Sequence, residues 1–181
     1  MKNQELDISF LLNQCKENNE KAQLTIYNKY YKSMFNVAFR IVNDYALAED
    51  IMQESFLKAF TKLDSYSGKV TFGAWLKKIV VNKSIDEFKK SKKYQIESLT
   101  ENTTVIDLDT EDLASYSELK VETVIKKIQS LKPNYKIILT LFFIEGYDLE
   151  EITQILNISY ENCRTIMSRA KESLRTKLNT P

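Results

Sequence analysis

The stretch DLEEITQILNISYENCRTIMSRAKESLRTKL, residues 148–178, predicts two helices joined by a short turn. Asp148 and Glu151 form a capping pair that can satisfy free amides at the start of the first helix. Ser159 follows the interruption Asn157-Ile158 and is placed to cap the second helix. Apolar residues at helical spacing mark an inward stripe, which comprises Leu149, Ile152, Ile155 and Leu156 and then Cys163, Ile166, Met167, Ala170 and Leu174. The stretch is therefore predicted to form a helix-turn-helix.

The outward face of the second helix carries cations and hydroxyl groups. Arg164 and Ser168 are four residues apart, as are Thr165 and Arg169, so each pair lies on one face. A helix that enters the major groove needs such donors opposite its apolar stripe. The candidate DNA contacts are Tyr160, Asn162, Arg164, Thr165, Ser168, Arg169 and Lys171. The alternative is a helical hairpin with a solvated charged face, and we favour DNA reading over it.

The composition predicts an all-α chain of two small domains. The 181 residues include only 3 Gly and 2 Pro, and helical spacing recurs along the sequence. With no His and 2 Cys, we expect neither a metal site nor a cofactor, and no nucleophile–base pair for an enzyme. Cys163 falls on an apolar stripe, which favours buried free thiols over a disulfide.

Neither export nor membrane insertion is predicted. The amino terminus lacks the basic start and continuous apolar core of a signal peptide. The longest apolar run, residues 137–144, is too short to span a bilayer. We therefore expect a cytoplasmic protein.

A polar stripe lies on the third of the predicted amino-terminal helices, which cover residues 8–16, 20–42 and 46–63. The stripe consists of Glu49, Asp50, Gln53 and Glu54. Asp50 and Glu54 are one turn apart, and such a like-charge pair costs helix stability that a basic partner would offset. Protein docking and a plain solvated surface both remain open for this stripe.

A polar loop at residues 64–71 leads into a basic amphipathic helix, predicted for residues 72–93. Phe72 and Trp75 at its start, followed by Asn82 and a run of lysines, could bind unpaired bases while the lysines follow a phosphate backbone. Trp75 could equally be core, and the lysines could be a solvated helix end. Residues 94–120 are acidic and lack an apolar face, which predicts a flexible linker between domains at residues 1–93 and 121–181.

Three stretches resemble, in order and spacing, the extracytoplasmic-function (ECF) branch of the sigma-70 family of RNA polymerase sigma factors. They are AEDIMQESF at residues 48–56, FGAWLKKIVVN at residues 72–82, and residues 146–171, which include the helix-turn-helix. Three ordered motifs on one chain are more specific than any one alone. The resemblance covers about residues 27–178. The short linker, in place of an intermediate domain, is also similar to the linker of proteins in that branch.

The resemblance implies roles for the candidate surfaces. Glu49, Asp50, Gln53 and Glu54 match the stripe that docks on the clamp of the polymerase largest subunit. The outward face of the last helix matches the −35 reader, and the loop at residues 64–71 matches the segment that captures a flipped base of the −10 element. The implied −10 contacts are Ser65, Ser67, Phe72, Trp75, Lys77, Lys78, Asn82, Lys83, Lys89 and Lys90.

Two departures from the family pattern concern DNA contacts. The family usually has Gly-Thr-Val where this chain has Glu161-Asn162-Cys163. The last cations of the −10 helix are lysines here rather than arginines, which keeps the charge but loses bidentate geometry.

The resemblance implies a factor that binds core polymerase at the clamp and flap, recognises promoter DNA as duplex and as melted strand, and could be held by an anti-sigma factor. One alternative is a stand-alone helix-turn-helix regulator that binds operator DNA without polymerase. Another is an interaction module with no DNA role, in which alanine could replace Arg164 and Arg169 without loss of function.

Overall fold

The structure is a computed structural model that describes residues 8–90 and 121–179. The described residues form eight α-helices and contain no strand, which confirms the all-α prediction. The chain divides into two compact units, Met1–Phe88 and Lys89–Pro181. The predicted linker, residues 94–120, lies outside the described residues, so its boundaries stay a prediction.

The first unit contains α1 (Ile8–Lys16), α2 (Glu20–Val42), α3 (Tyr45–Thr61) and most of α4 (Phe72–Lys90). A 3-10 turn, Leu63–Ser65, follows α3. Helix α2 packs against both α1 and α3. The largest side chains sealed in this core include Ile26, Ile41, Ile51, Leu76 and Ile85.

Asparagine and aspartate residues set where the first helices end and begin. Asn18 and Asn43 adopt positive φ of 59° and 55°, a backbone region that Asn tolerates better than most residues. The Asn19 side chain then accepts a hydrogen bond from the Ala22 amide at 3.2 Å, and Asp44 accepts one from Leu47 at 2.9 Å. Each reversal is therefore encoded by two adjacent short polar residues.

The helical spacing of α2 predicts an apolar face that includes Ala22, Leu24 and Ile26. Leu24 is 59% exposed, whereas its neighbours Ala22 and Ile26 are buried. Two residues correspond to about 200° around a helix, so a residue between two inward positions faces outward.

The second unit contains α5 (Val121–Gln129), α6 (Pro133–Leu139), α7 (Leu149–Leu156) and α8 (Tyr160–Asn179). Pro133 occupies the first turn of α6, as predicted, because its missing amide costs nothing there. A π-helical turn, Thr140–Ile144, extends α6, and Gly146 ends it at φ +77°. The apolar periodicity did not predict this wider turn.

The helix-turn-helix forms as its sequence predicts. The Asp148 side chain accepts from the Glu151 amide at 2.8 Å, and the Glu151 carboxylate accepts from the Asp148 amide at 3.0 Å. Asn157 reverses the chain at φ 56°, and the Ser159 hydroxyl accepts from the Asn162 amide at 3.2 Å. The whole predicted inward stripe of α8 is buried, namely Cys163, Ile166, Met167, Ala170 and Leu174.

Replacement of Asp148 by alanine should destabilise α7 by about 0.5–2 kcal/mol, because the Glu151 amide loses its capping partner. Amide hydrogen exchange at Ile152 and Leu156 measures the effect locally. Glu150→Ala is the control, since Glu150 also lies in the first turn but does not supply the cap. Equal loss of protection in both variants would contradict the capping role.

Cys15 and Cys163 are both buried free thiols, as predicted. Burial raises the pKa of each thiol above its ordinary value. Since only the thiolate reacts, disulfide reagents at pH 8 should modify both thiols far more slowly in the folded protein than in urea. A Ser67→Cys variant provides an exposed thiol as a positive control.

Because folding raises these pKa values, the free energy of unfolding should fall as the pH rises past about 8.5, the pKa of an unfolded thiol. Above that pH the unfolded thiols lose their protons while the buried thiols of the folded protein keep them.

Candidate functional site

The outward face of α8 collects the residues predicted to read duplex DNA. Tyr160 and Arg164 are exposed, and Asn162, Thr165, Ser168 and Arg169 are half-exposed. The inward stripe fixes the rotation of α8, so these side chains point away from the core of the unit. The helix therefore presents a polar, cationic surface of the kind that fits a major groove.

Thr165 and Lys171, two residues of this face, contact other groups of the protein. The Thr165 hydroxyl donates to the Glu161 carbonyl at 2.9 Å, which leaves its oxygen as an acceptor. The Lys171 ammonium lies over the rings of Phe142 and Phe143, 5.5 and 5.9 Å from their centroids. This cation–π contact holds Lys171 at the edge of the face, beside the π turn.

All four residues of the polar stripe on α3 are exposed: Glu49, Asp50, Gln53 and Glu54. The opposite side of α3 buries Ala48, Ile51, Met52 and Phe56. The stripe extends into apolar surface, since Tyr45 and Leu57 on the same helix are 67% and 68% exposed. Exposed apolar side chains therefore flank the polar stripe toward each end of α3.

Glu54 is tied to the basic helix α4 by Lys83. The Lys83 ammonium lies 2.7 Å from a Glu54 carboxylate oxygen and 3.1 Å from a Glu87 oxygen. Hydrogen bonds to both carboxylates raise the pKa of Lys83. Lys83, predicted as a cation that contacts a DNA strand, is thus held between two carboxylates.

Aromatic rings support the loop between α3 and α4. Phe72 is 2% exposed and packs against Tyr30 and Tyr66, with centroid distances of 5.6 and 5.8 Å. Gly73 permits this packing, because a Cβ there would lie 3.0 Å from the Tyr30 ring. A base cannot reach Phe72 in this conformation, so we reassign this predicted contact residue to the core beneath the loop.

Trp75 satisfies part of each sequence interpretation. Its ring packs against Tyr66 and Phe72 at centroid distances of 5.4 and 5.7 Å, yet the residue is half-exposed. The ring is therefore anchored on one side and accessible on the other.

Tyr66 is the residue that the sequence analysis missed. Its hydroxyl donates to the Val70 carbonyl at 2.7 Å and closes the loop around Gly68, which has φ +73°. The sequence signal for this role is an aromatic residue in a polar loop just before Phe72 and Trp75.

The remaining predicted −10 contacts lie on the loop and along α4. Ser65 and Ser67 are exposed, and the Ser65 hydroxyl donates to the Lys62 carbonyl at 2.7 Å. Lys78, Asn82 and Lys90 are exposed, whereas Lys77 and Lys89 are half-exposed.

Among the described residues, no cluster of His, Cys, Asp or Glu could hold a metal ion, and no helix is long and apolar enough to cross a bilayer.

Two segments of the chain match family profiles in sequence. Residues 26–94 match Sigma-70 region 2, and residues 108–174 match Sigma-70, region 4. The first match contains the α3 stripe and all of α4, and the second contains α7 and α8 as far as Leu174.

Similar proteins match this chain over most of its length. The ECF RNA polymerase sigma factor SigW of Bacillus subtilis is 28% identical, with 96% of this chain and 98% of that protein covered. SigM of the same organism is 29% identical, covering 85% and 93%. The ECF RNA polymerase sigma-E factor of Haemophilus influenzae is 24% identical, covering 93% of each.

Solved structures with a similar fold include two complexes. The sigma factor RpoE of Bartonella quintana, solved with the anti-sigma factor NepR, gives a TM-score of 0.55 at 19% identity, with 86% of this chain and 96% of that chain covered. CnrH, solved with the cytosolic domain of CnrY, gives a TM-score of 0.54 at 19% identity, covering 94% and 96%. Both share the helical fold of this chain.

Proposed function

Because the chain belongs to the sigma-70 family, in its extracytoplasmic-function branch, we propose that three of its surfaces divide the work of transcription initiation. The α3 stripe binds core RNA polymerase at the clamp, the loop and α4 bind the melted −10 element, and α8 reads the −35 element. The observation that supports this most strongly is the order of the two family segments: the first contains the α3 stripe, the loop and α4, and the second contains the outward face of α8.

The α3 stripe fits a clamp-binding role by its exposure and charge. Glu49, Asp50 and Glu54 give it three carboxylates, which favour a basic partner. Tyr45 and Leu57 add apolar area that becomes favourable only when a partner covers it. The second unit adds a contact with the polymerase flap.

The loop and α4 act on unpaired DNA. Base stacking on an accessible aromatic ring is worth about 1–3 kcal/mol per base, and the half-exposed Trp75 ring offers such a surface. Binding of bases that have left the duplex offsets the cost of opening it. The lysines of α4 supply phosphate contacts that do not depend on sequence.

Recognition requires both DNA surfaces together with the polymerase. The formal net charge is only +1, so the free protein lacks the strong cationic field that would hold DNA by itself. The factor acts by binding rather than by catalysis, in the cytoplasm where core polymerase transcribes. The complex of RpoE with the anti-sigma factor NepR supports an anti-sigma factor as a further partner.

Changing Asp50 and Glu54 together to alanine should weaken binding to purified core polymerase by about tenfold or more, because desolvated charge pairs each contribute over 1 kcal/mol. Co-elution on size exclusion and a fluorescence titration measure the loss. The control changes Glu17 and Glu20 to alanine, two exposed carboxylates outside the stripe. If the free protein ignores core polymerase and binds a duplex operator tightly, it is a stand-alone regulator.

Alanine at Arg164 or Arg169 should relax base preference in the −35 element by about 1–3 kcal/mol, the usual discrimination of a good bidentate contact. The measurement is holoenzyme binding to promoters selected from a random library, beside the same promoters with −35 substitutions. Arg175→Ala is the control, because Arg175 lies on α8 near Glu172, outside the predicted reading face. If neither Arg164→Ala nor Arg169→Ala changes the base preference in the −35 element, the result would support the interaction-module alternative.

A further inference from the structure

The Glu54–Lys83 contact joins two surfaces that the proposed function assigns to different partners. Glu54 belongs to the polymerase-binding stripe on α3, and Lys83 belongs to the strand-binding helix α4. Their charged atoms are 2.7 Å apart, and Glu87 lies 3.1 Å from the same ammonium. Glu54, Lys83 and Glu87 therefore form one cluster of charges that is shared by the two surfaces.

Lys83 in this state is a poor ligand for DNA. Two of its three ammonium hydrogens point at carboxylates, and the two negative charges outweigh its single positive charge at short range. A phosphate that approached this ammonium would also approach Glu54 and Glu87. Lys83 can contact a strand fully only after one carboxylate has moved away.

Glu54 is the carboxylate that a partner can remove. Its side chain is 60% exposed, whereas the side chain of Glu87 is 21% exposed and lies four residues from Lys83 on the same helix. A basic group on the docked polymerase can reach Glu54 from solvent. Glu87 would keep its contact with Lys83 within α4.

We propose that Glu54 restrains Lys83 in the free protein, and that polymerase docking on Glu54 releases Lys83 for the −10 strand. This coupling rests on the proposed function, since it requires that α3 bind polymerase and α4 bind DNA. Coupling of two binding events is reciprocal, so DNA bound at Lys83 also strengthens polymerase docking. Exposed ion pairs are weak, which limits the expected effect to about two- to fivefold in affinity.

The test compares two variants that remove the same charge from the same helix. Glu54→Gln removes a carboxylate that contacts Lys83, and Asp50→Asn removes the exposed carboxylate one turn earlier. The probe is a fluorescein-labelled oligothymidylate, titrated at low salt with the free full-length protein. Glu54→Gln should bind it about two- to fivefold more tightly than the unchanged protein, and clearly more tightly than Asp50→Asn. Equal gains in the two variants would mean that only net charge matters, which overturns the proposal.

A double-mutant cycle assigns the gain to Lys83. In the Glu54→Gln background, Lys83→Gln should abolish the gain, whereas in the unchanged protein Lys83→Gln should have little effect because the ammonium is already occupied. If Lys83→Gln weakens DNA binding equally in both backgrounds, Lys83 is not restrained and the proposal fails. Circular dichroism of each variant checks that the helices remain folded.

Co-elution with core polymerase separates failure of the coupling from failure of the proposed function. If the unchanged protein binds core and Glu54→Gln behaves as Asp50→Asn in the DNA titration, the coupling alone is wrong. If the unchanged protein does not bind core, the polymerase-binding role is wrong, and the coupling fails with it.

Discussion

Burial of one apolar stripe per helix is the constraint on which this structure depends. An amphipathic helix that buries one side must present the other, so the core fixes which residues face outward. In α8, burial of Cys163, Ile166 and Ala170 turns Arg164 and Ser168 away from the core. The candidate binding surfaces are thus consequences of packing, and they require no separate structural device.

Short polar residues convert these stripes into a defined path of the chain. Asn43 and Asn157 end helices at positive φ, and Asp44 and Ser159 cap the helices that follow. A cap contributes only about 1 kcal/mol, but its position sets where the next helix begins and hence which residues share its face. A shift of one residue would rotate the outward face by about 100°.

Much of the fold was predictable because its signals are local. The capping box at Asp148, the buried stripe of α8 and the ends of α2 follow from neighbouring residues, and the structure bears out each of them. Contacts between residues distant in sequence could not be predicted. Helical periodicity predicts that Lys83 is an outward-facing cation, but Glu54 from α3 forms an ion pair with it. Periodicity likewise places Phe72 beside a loop, but the rings of Tyr30 and Tyr66 pack against it.

The same difference explains why charge alone is a poor guide to function here. Lysines outnumber acidic residues in α4, but the attraction of DNA to each ammonium depends on the electrostatic potential that the ammonium and its neighbouring charges create together. At Lys83, one carboxylate from α3 and one from α4 itself lie within hydrogen-bond distance, so this ammonium is already engaged inside the unit and is less available to DNA. A nearly neutral protein can therefore carry a basic helix without strong affinity for DNA, so that its promoter contacts become effective when other contacts hold it in place.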